Sequence, residues 1–169
     1  MQTTVYAAGK LWGALETVVK SQNGPPRAGI AFFIINPSSG TMVNQGYVAV
    51  NQKNVLYSAI AVNPNGKGFM SFTLVGQDFF PSAAYTSIEA NKGVSDVHIA
   101  GVGAEPEDGF TGYAALNAPI LGDRVARWGD YSAATAAGSG NIWIATEYIP
   151  NARRNLFANW GTFISYLTP

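Results

Sequence analysis

The sequence predicts an all-β protein, about three four-stranded blades of a β-propeller, within one segment spanning residues 1–169. Three observations carry that prediction. Short runs rich in β-branched and aromatic residues are separated by Gly, Pro, Asn and Ser turns, and no long helical pattern occurs. One strand–turn–strand pattern recurs along the chain. The strand that opens its later copies is lined by alanines, small enough for strands crowded round a central axis.

The elements follow in order. Val5-Tyr6-Ala7 leads through Ala8-Gly9-Lys10 into Leu11–Val19, which reads as a hairpin. A helix over residues 11–20 is the alternative, but Trp12, Thr17 and the Val18-Val19 pair favour the strand. Gln22-Asn23-Gly24-Pro25-Pro26 is a loop, because proline has no N–H to give to a ladder. Gly29–Ile35 is a continuous apolar run of strand length, so both of its faces are covered. A short strand over Gly46–Val50 comes next. Tyr57–Val62 and Phe69–Val75 flank the turn Asn63–Gly68. That turn holds Gly-Lys without the spacing of a phosphate loop, and a strand follows it where a helix is needed. Ala83–Ile88 and Val97–Val102 are two more strands, followed by the acidic loop Glu105–Gly109. The segment Arg127–Thr135 then opens another hairpin with Gly140–Tyr148, and Asn159–Tyr166 is the last strand.

The repeat is specific. A shift of 74 residues lays Tyr57-Ser58-Ala59 on Tyr131-Ser132-Ala133, Gly66 on Gly140, Phe69 on Trp143 and Leu74 on Tyr148. The N-terminal hairpin joins with its own shift, placing Trp12 on Trp143 and Glu16 on Glu147. Blades therefore fall at about 1–52, 53–104 and 105–169. A β-sandwich with coincidental self-similarity is the competing architecture.

Composition excludes several functions. Ten basic and ten acidic residues cancel, and only Arg153-Arg154 are adjacent basic neighbours, so neither nucleic acid nor an anionic membrane is an expected partner. There is no cysteine, which removes disulfides and thiolate chemistry. No apolar run approaches the roughly 18 residues of a membrane helix. Charged residues are only 12% of the chain, while Gly, Ala, Asn, Ser and Thr abound, a balance resembling secreted bacterial β-proteins. The expected location is extracellular or periplasmic, with a signal peptide not present in this chain.

Trp128-Gly129-Asp130-Tyr131-Ser132, with Ile142-Trp143 and Glu147-Tyr148, resembles the last blade of six-bladed propellers of the sialidase superfamily, and Tyr57–Val75 resembles another of their blades. The likeness implies half of a six-bladed ring. It departs from true sialidases in two ways. The Ser-x-Asp-x-Gly-x-Thr-Trp box survives only as Gly140-Asn141-Ile142-Trp143, and the Arg-Ile-Pro signature is missing. An open half-ring exposes strand edges and apolar faces, so the chain is expected either to form a homodimer on a two-fold axis or to be the remainder of a longer propeller.

Sialidase-type hydrolysis needs arginines for a carboxylate, a Tyr–Glu pair and an Asp acid/base. Arg127, Asp130, Glu147 and Tyr148 are the catalytic candidates on that resemblance. A ligand-binding role for Arg124, Arg127, Trp128, Asp130 and Trp160 is the broader reading. Against both stand a local Arg127–Asp130 ion pair and a structural role for Glu147, since Glu16 occupies the same place. Trp12, Phe69 and Trp143 are expected in the core between blades. His98 alone makes neither a metal site nor a triad. No cofactor is expected, calcium at Glu105–Asp108 being the one to consider. The function expected is a non-catalytic module binding a glycan or protein through its loop face. A sialidase-like glycoside hydrolase completed elsewhere, and a fragment with no function of its own, are the alternatives.

Overall fold

The computed structural model describes residues 4–20, 24–107, 129–152 and 159–169. It is all-β, with three antiparallel sheets and no helix among these residues. The first sheet is the meander β1 (Thr4–Ala7), β2 (Lys10–Val19), β3 (Arg27–Asn36) and β4 (Thr41–Val48). The middle sheet runs β5 (Lys53–Val62), β6 (Lys67–Gly76) and β7 (Phe79–Glu89), with β8 (Gly93–Val94) and β9 (His98–Gly101) both paired to β7. The third contains β10 (Ala133–Ala136), β11 (Ile142–Tyr148) and β12 (Gly161–Leu167). Residues 11–19 are strand, as Trp12 and the valines favour.

Each sheet opens with a hairpin whose turn uses a left-handed glycine: Gly9, Gly66 and Gly140, at φ 70°, 77° and 87°. Ala8 also has a positive φ, so Ala8-Gly9 forms the two-residue turn that matches strand twist. Three residues after each glycine stands Trp12, Phe69 or Trp143. The 74-residue shift holds in the hydrogen-bond register as well, with Ala61 opposite Phe69 and Thr135 opposite Trp143.

The sheets are layered, with the middle one between the other two. β5 packs against β2 and β3 on one side and against β10 on the other. Period-two alternation divides the work. Ile60, Val62, Met70, Phe72 and Leu74 face the first sheet and close a core with Trp12, Ile30, Phe32 and Ile34. Ala61 and Phe69 point the opposite way and meet Ile142 and Ile144 of the third sheet. A β-bulge makes this possible. Leu56 pairs with Thr73 and Ala59 with Ser71, so Tyr57 and Ser58 both stand opposite Phe72. That extra residue returns Val55 to the face of Ile60 and Val62. Tyr57 takes up the distortion at φ 60°.

The strand expected at Val97–Val102 is present as β9, whereas β4 starts at Thr41 instead of Gly46 and one further strand is cut short. Within the expected run Arg127–Thr135, the residues 129–132 are not strand, and only Ala133–Ala136 are. Gly129 adopts φ 67°, which strand geometry does not accommodate. The outer strand of the middle sheet is split into β8 and β9. Between them the Ser95 N–H still donates to the Ser87 carbonyl at 3.1 Å, while the Ser95 hydroxyl accepts the Ser87 N–H at 3.2 Å in place of a backbone carbonyl.

Candidate functional site

Antiparallel pairing brings the start of β5, the ends of β6 and β11, the start of β12 and the residues before β10 to one end of the layers. Tyr57 sits there, half-buried on its bulge. A Cβ on Gly129 would lie 2.4 Å from the Tyr57 ring, so glycine is required for the backbone to cross that ring, and its left-handed φ adds to the requirement. Gly129 in turn fixes Asp130 beside Tyr57. From the first sheet, Glu16 reaches the same place, its Oε1 accepting the Ser58 N–H at 3.0 Å. From the third, the Glu147 carbonyl accepts the Thr73 hydroxyl at 3.0 Å, and its carboxyl lies close enough to raise the Tyr57 pKa.

The electrostatics follow from this convergence. Burial, then the charges of Asp130, Glu147 and Glu16, push the Tyr57 phenol above its ordinary value of 10.0. Partial burial, with Asp130 and Glu107 adding like charge, pushes the Glu147 carboxyl up to about 7. Tyr57 therefore keeps its proton and serves as a hydrogen-bond donor. Asp130 is an acceptor, and Glu147 near neutral pH is either a donor or an acceptor. Among the described residues, no three His, Asp or Glu side chains gather in an arrangement that holds a metal.

Of the residues singled out from sequence, the structure joins Asp130 and Glu147 around Tyr57. Trp160 stands just before β12, whose first residue pairs with Tyr148, so this exposed indole is at the same end. Tyr148 points to the other face of β11 from Glu147. Its ring meets Phe163 edge-on at 5.5 Å, and it lines the space beside Gly161. Arg124, Arg127 and Trp128, and hence the Arg127–Asp130 pair, lie outside the described residues, as does Asp108 of the acidic loop. His98 is exposed and stacks on Tyr85, with centroids 5.4 Å apart. Trp12 and Phe69 are buried as expected, whereas Trp143 is not; its sheet is the last in the layers, and among the described residues no further sheet lies over it.

Tyr57 and Glu16 are the members that sequence reasoning did not assign. Tyr57 was visible only as the weaker copy of Tyr131, yet Tyr131 is 73% exposed and Tyr57 is the one enclosed. The recurrence of an acid at Glu16 and Glu147 was the available signal, since both reach toward this end.

Comparison of the chain with protein-family models, with curated proteins and with solved structures yields no match.

Proposed function

We propose that the three sheets are consecutive blades of a β-propeller and that the chain is a non-catalytic binding module of the extracellular or periplasmic space. It takes a hydroxyl-rich glycan at the end that carries Tyr57. One observation carries this reading: a phenol held protonated stands among Glu16, Asp130 and Glu147, with exposed Trp160 at the same end. Such a group of one donor and several acceptors suits sugar hydroxyls, and an indole face suits the ring. A raised pKa leaves less of the Tyr57 phenol ionised, which speaks against Tyr57 as a nucleophile, and Tyr148 packs its ring against Phe163. The acidic surroundings also disfavour a carboxylated sugar unless arginines are supplied beside them.

The hydrolase alternative is favoured by one feature. A carboxyl at about 7 is placed well for proton transfer near neutrality. A glycan array tests the binding reading, with Asp130→Ala and Trp160→Ala each expected to weaken capture at least about 10-fold. Turnover of a fluorogenic glycoside that is lost in Glu147→Gln replaces binding by hydrolysis. A silent array with no turnover removes the glycan and leaves a protein ligand.

A further inference from the structure

The repeat states what each sheet does with each face. At the first junction Trp12 is buried to 0% exposure against the middle sheet, and Glu16 from the same strand face accepts a backbone N–H of β5. At the second junction Phe69 and Thr73 occupy those positions: Phe69 packs on Ile142 and Ile144, and Thr73 donates to the Glu147 carbonyl. Trp143 holds the aromatic position on the third sheet, and it faces away from the middle sheet. Trp143 is 45% exposed there, with Ile164 at 63%. Register puts Thr135, Trp143 and Tyr166 in one row and Ala133, Ala145 and Ile164 in the next. The rings of Trp143 and Tyr166 are already in contact, with centroids 4.4 Å apart, and the Tyr166 hydroxyl is held 2.9 Å from Ser139. This face is built like the faces that cover a neighbouring sheet, and its side chains are already ordered.

The complementary face is at the other end of the layers. Residues that receive a neighbour's aromatic side chain lie on the opposite side of the second strand: Met70 and Phe72 in the middle sheet, Ile142 and Ile144 in the third. On β2 the equivalent positions are Leu11 and Leu15. They pair across the ladder with Ile35 and Ala31, and Tyr6 pairs with Leu11 on the same side. Tyr6 is 68% exposed. Among the described residues, no other sheet covers that face.

We propose that two copies of this chain close head to tail on a two-fold axis. The Trp143 face of each third sheet then covers the Leu11–Leu15 face of its partner's first sheet, making a ring of six sheets. The inference rests on reading the sheets as consecutive blades. Area supports it. The strands of the third sheet, of four, seven and seven residues, span at most roughly 23 Å by 14 Å. Two such faces per copy, with side-chain relief, approach the about 800 Å² per partner of a standard stable interface. Both faces recur in two internal junctions, so a second copy offers to each the kind of surface it already meets within the chain. Closure would leave the Tyr57 ends of both copies around one channel mouth.

The test is the mass of the purified full chain by sedimentation across a dilution series, alongside Trp143→Arg and Tyr6→Arg. Both substitutions are at exposed positions, and far-UV circular dichroism checks that the sheets persist. Twice the 17.9 kDa chain mass is expected, with each variant raising the dimer dissociation constant at least about 30-fold. If only Trp143→Arg dissociates it, third sheets pair with each other and the head-to-tail closure is wrong. A monomer at every concentration overturns the proposal, as do masses that grow with concentration, which mean faces that do not close. Glycan capture by a folded monomer would then leave the binding reading standing alone.

Discussion

The two junctions between sheets are built from the same repeat and differ in substance. Between the first and middle sheets, Trp12, Phe32, Met70 and Phe72 interlock with a row of Ile, Val and Leu in one extended apolar cluster. Between the middle and third sheets, the apolar part shrinks to Ala61, Phe69, Ile142 and Ile144. Buried hydroxyls take the rest of that interface: Ser71, Thr73 and Thr146 are all within it or at its edge. Hydrogen bonds cross both junctions, since at the first Asn54 Oδ1 accepts the Ala28 N–H at 3.1 Å and the Asn44 amide donates to the Ala90 carbonyl at 2.9 Å, so what differs is the extent of apolar packing. Asn63 bridges the hairpin turns by donating to the Gly140 carbonyl at 3.0 Å, and Thr73 donates to Glu147 at the other end. The candidate site sits where both junctions meet, with Glu16 arriving across one and Glu147 across the other. A site so placed responds to changes in either junction.

That comparison is open to direct test. The largest expected effect is Trp12→Ala, a loss of about 3–5 kcal/mol by chemical denaturation, because the cavity opens in a tightly packed core. Phe69→Ala, in the smaller cluster, should cost less, about 2–3 kcal/mol, since alanines and hydroxyls around it can close in. Equal losses would mean that the junctions are energetically alike. Next in size is Glu16→Ala, which strands the Ser58 N–H of the bulge and should cost about 1–3 kcal/mol. Thr73→Val removes a neutral hydrogen bond across the second junction and is expected to cost about 1 kcal/mol.

A separate effect is a change in pH dependence. The Glu147 carboxyl has a higher pKa folded, about 7, than its ordinary value of 4.5. The folded state therefore binds more protons between those values, so stability falls as pH rises through that window. In Glu147→Gln that contribution disappears, and the curve of stability against pH between about 4.5 and 7 should flatten. A Gln variant with the slope of the parent would place the titration elsewhere.

How much of this was legible in advance depends on the distance over which each feature is decided. The strands were readable because apolar runs such as Gly29–Ile35, and turn residues such as Asn63–Gly66, act over a few neighbours. The hairpin glycines were readable for the same reason: a left-handed turn demands its residue locally. Repetition then extended that reading, since Gly9, Gly66 and Gly140 with Trp12, Phe69 and Trp143 recur at constant spacing, and the register of the later two hairpins follows that spacing. By itself, the sequence determined an all-β chain of repeated hairpins and which residues in them correspond.

Tertiary structure decided which of the corresponding residues are buried and which of them meet. Trp12 and Trp143 are the same letter in the same local setting, yet one is enclosed and the other open, because burial depends on whether another sheet lies against that face. Tyr57 and Tyr131 differ likewise, with a bulge enclosing the first. Glu16, Asp130 and Glu147 are far apart in the chain and converge only because three sheets are layered with the same ends together. Charge at a site is a sum over space, and the pattern of one strand carries no record of what stands across from it.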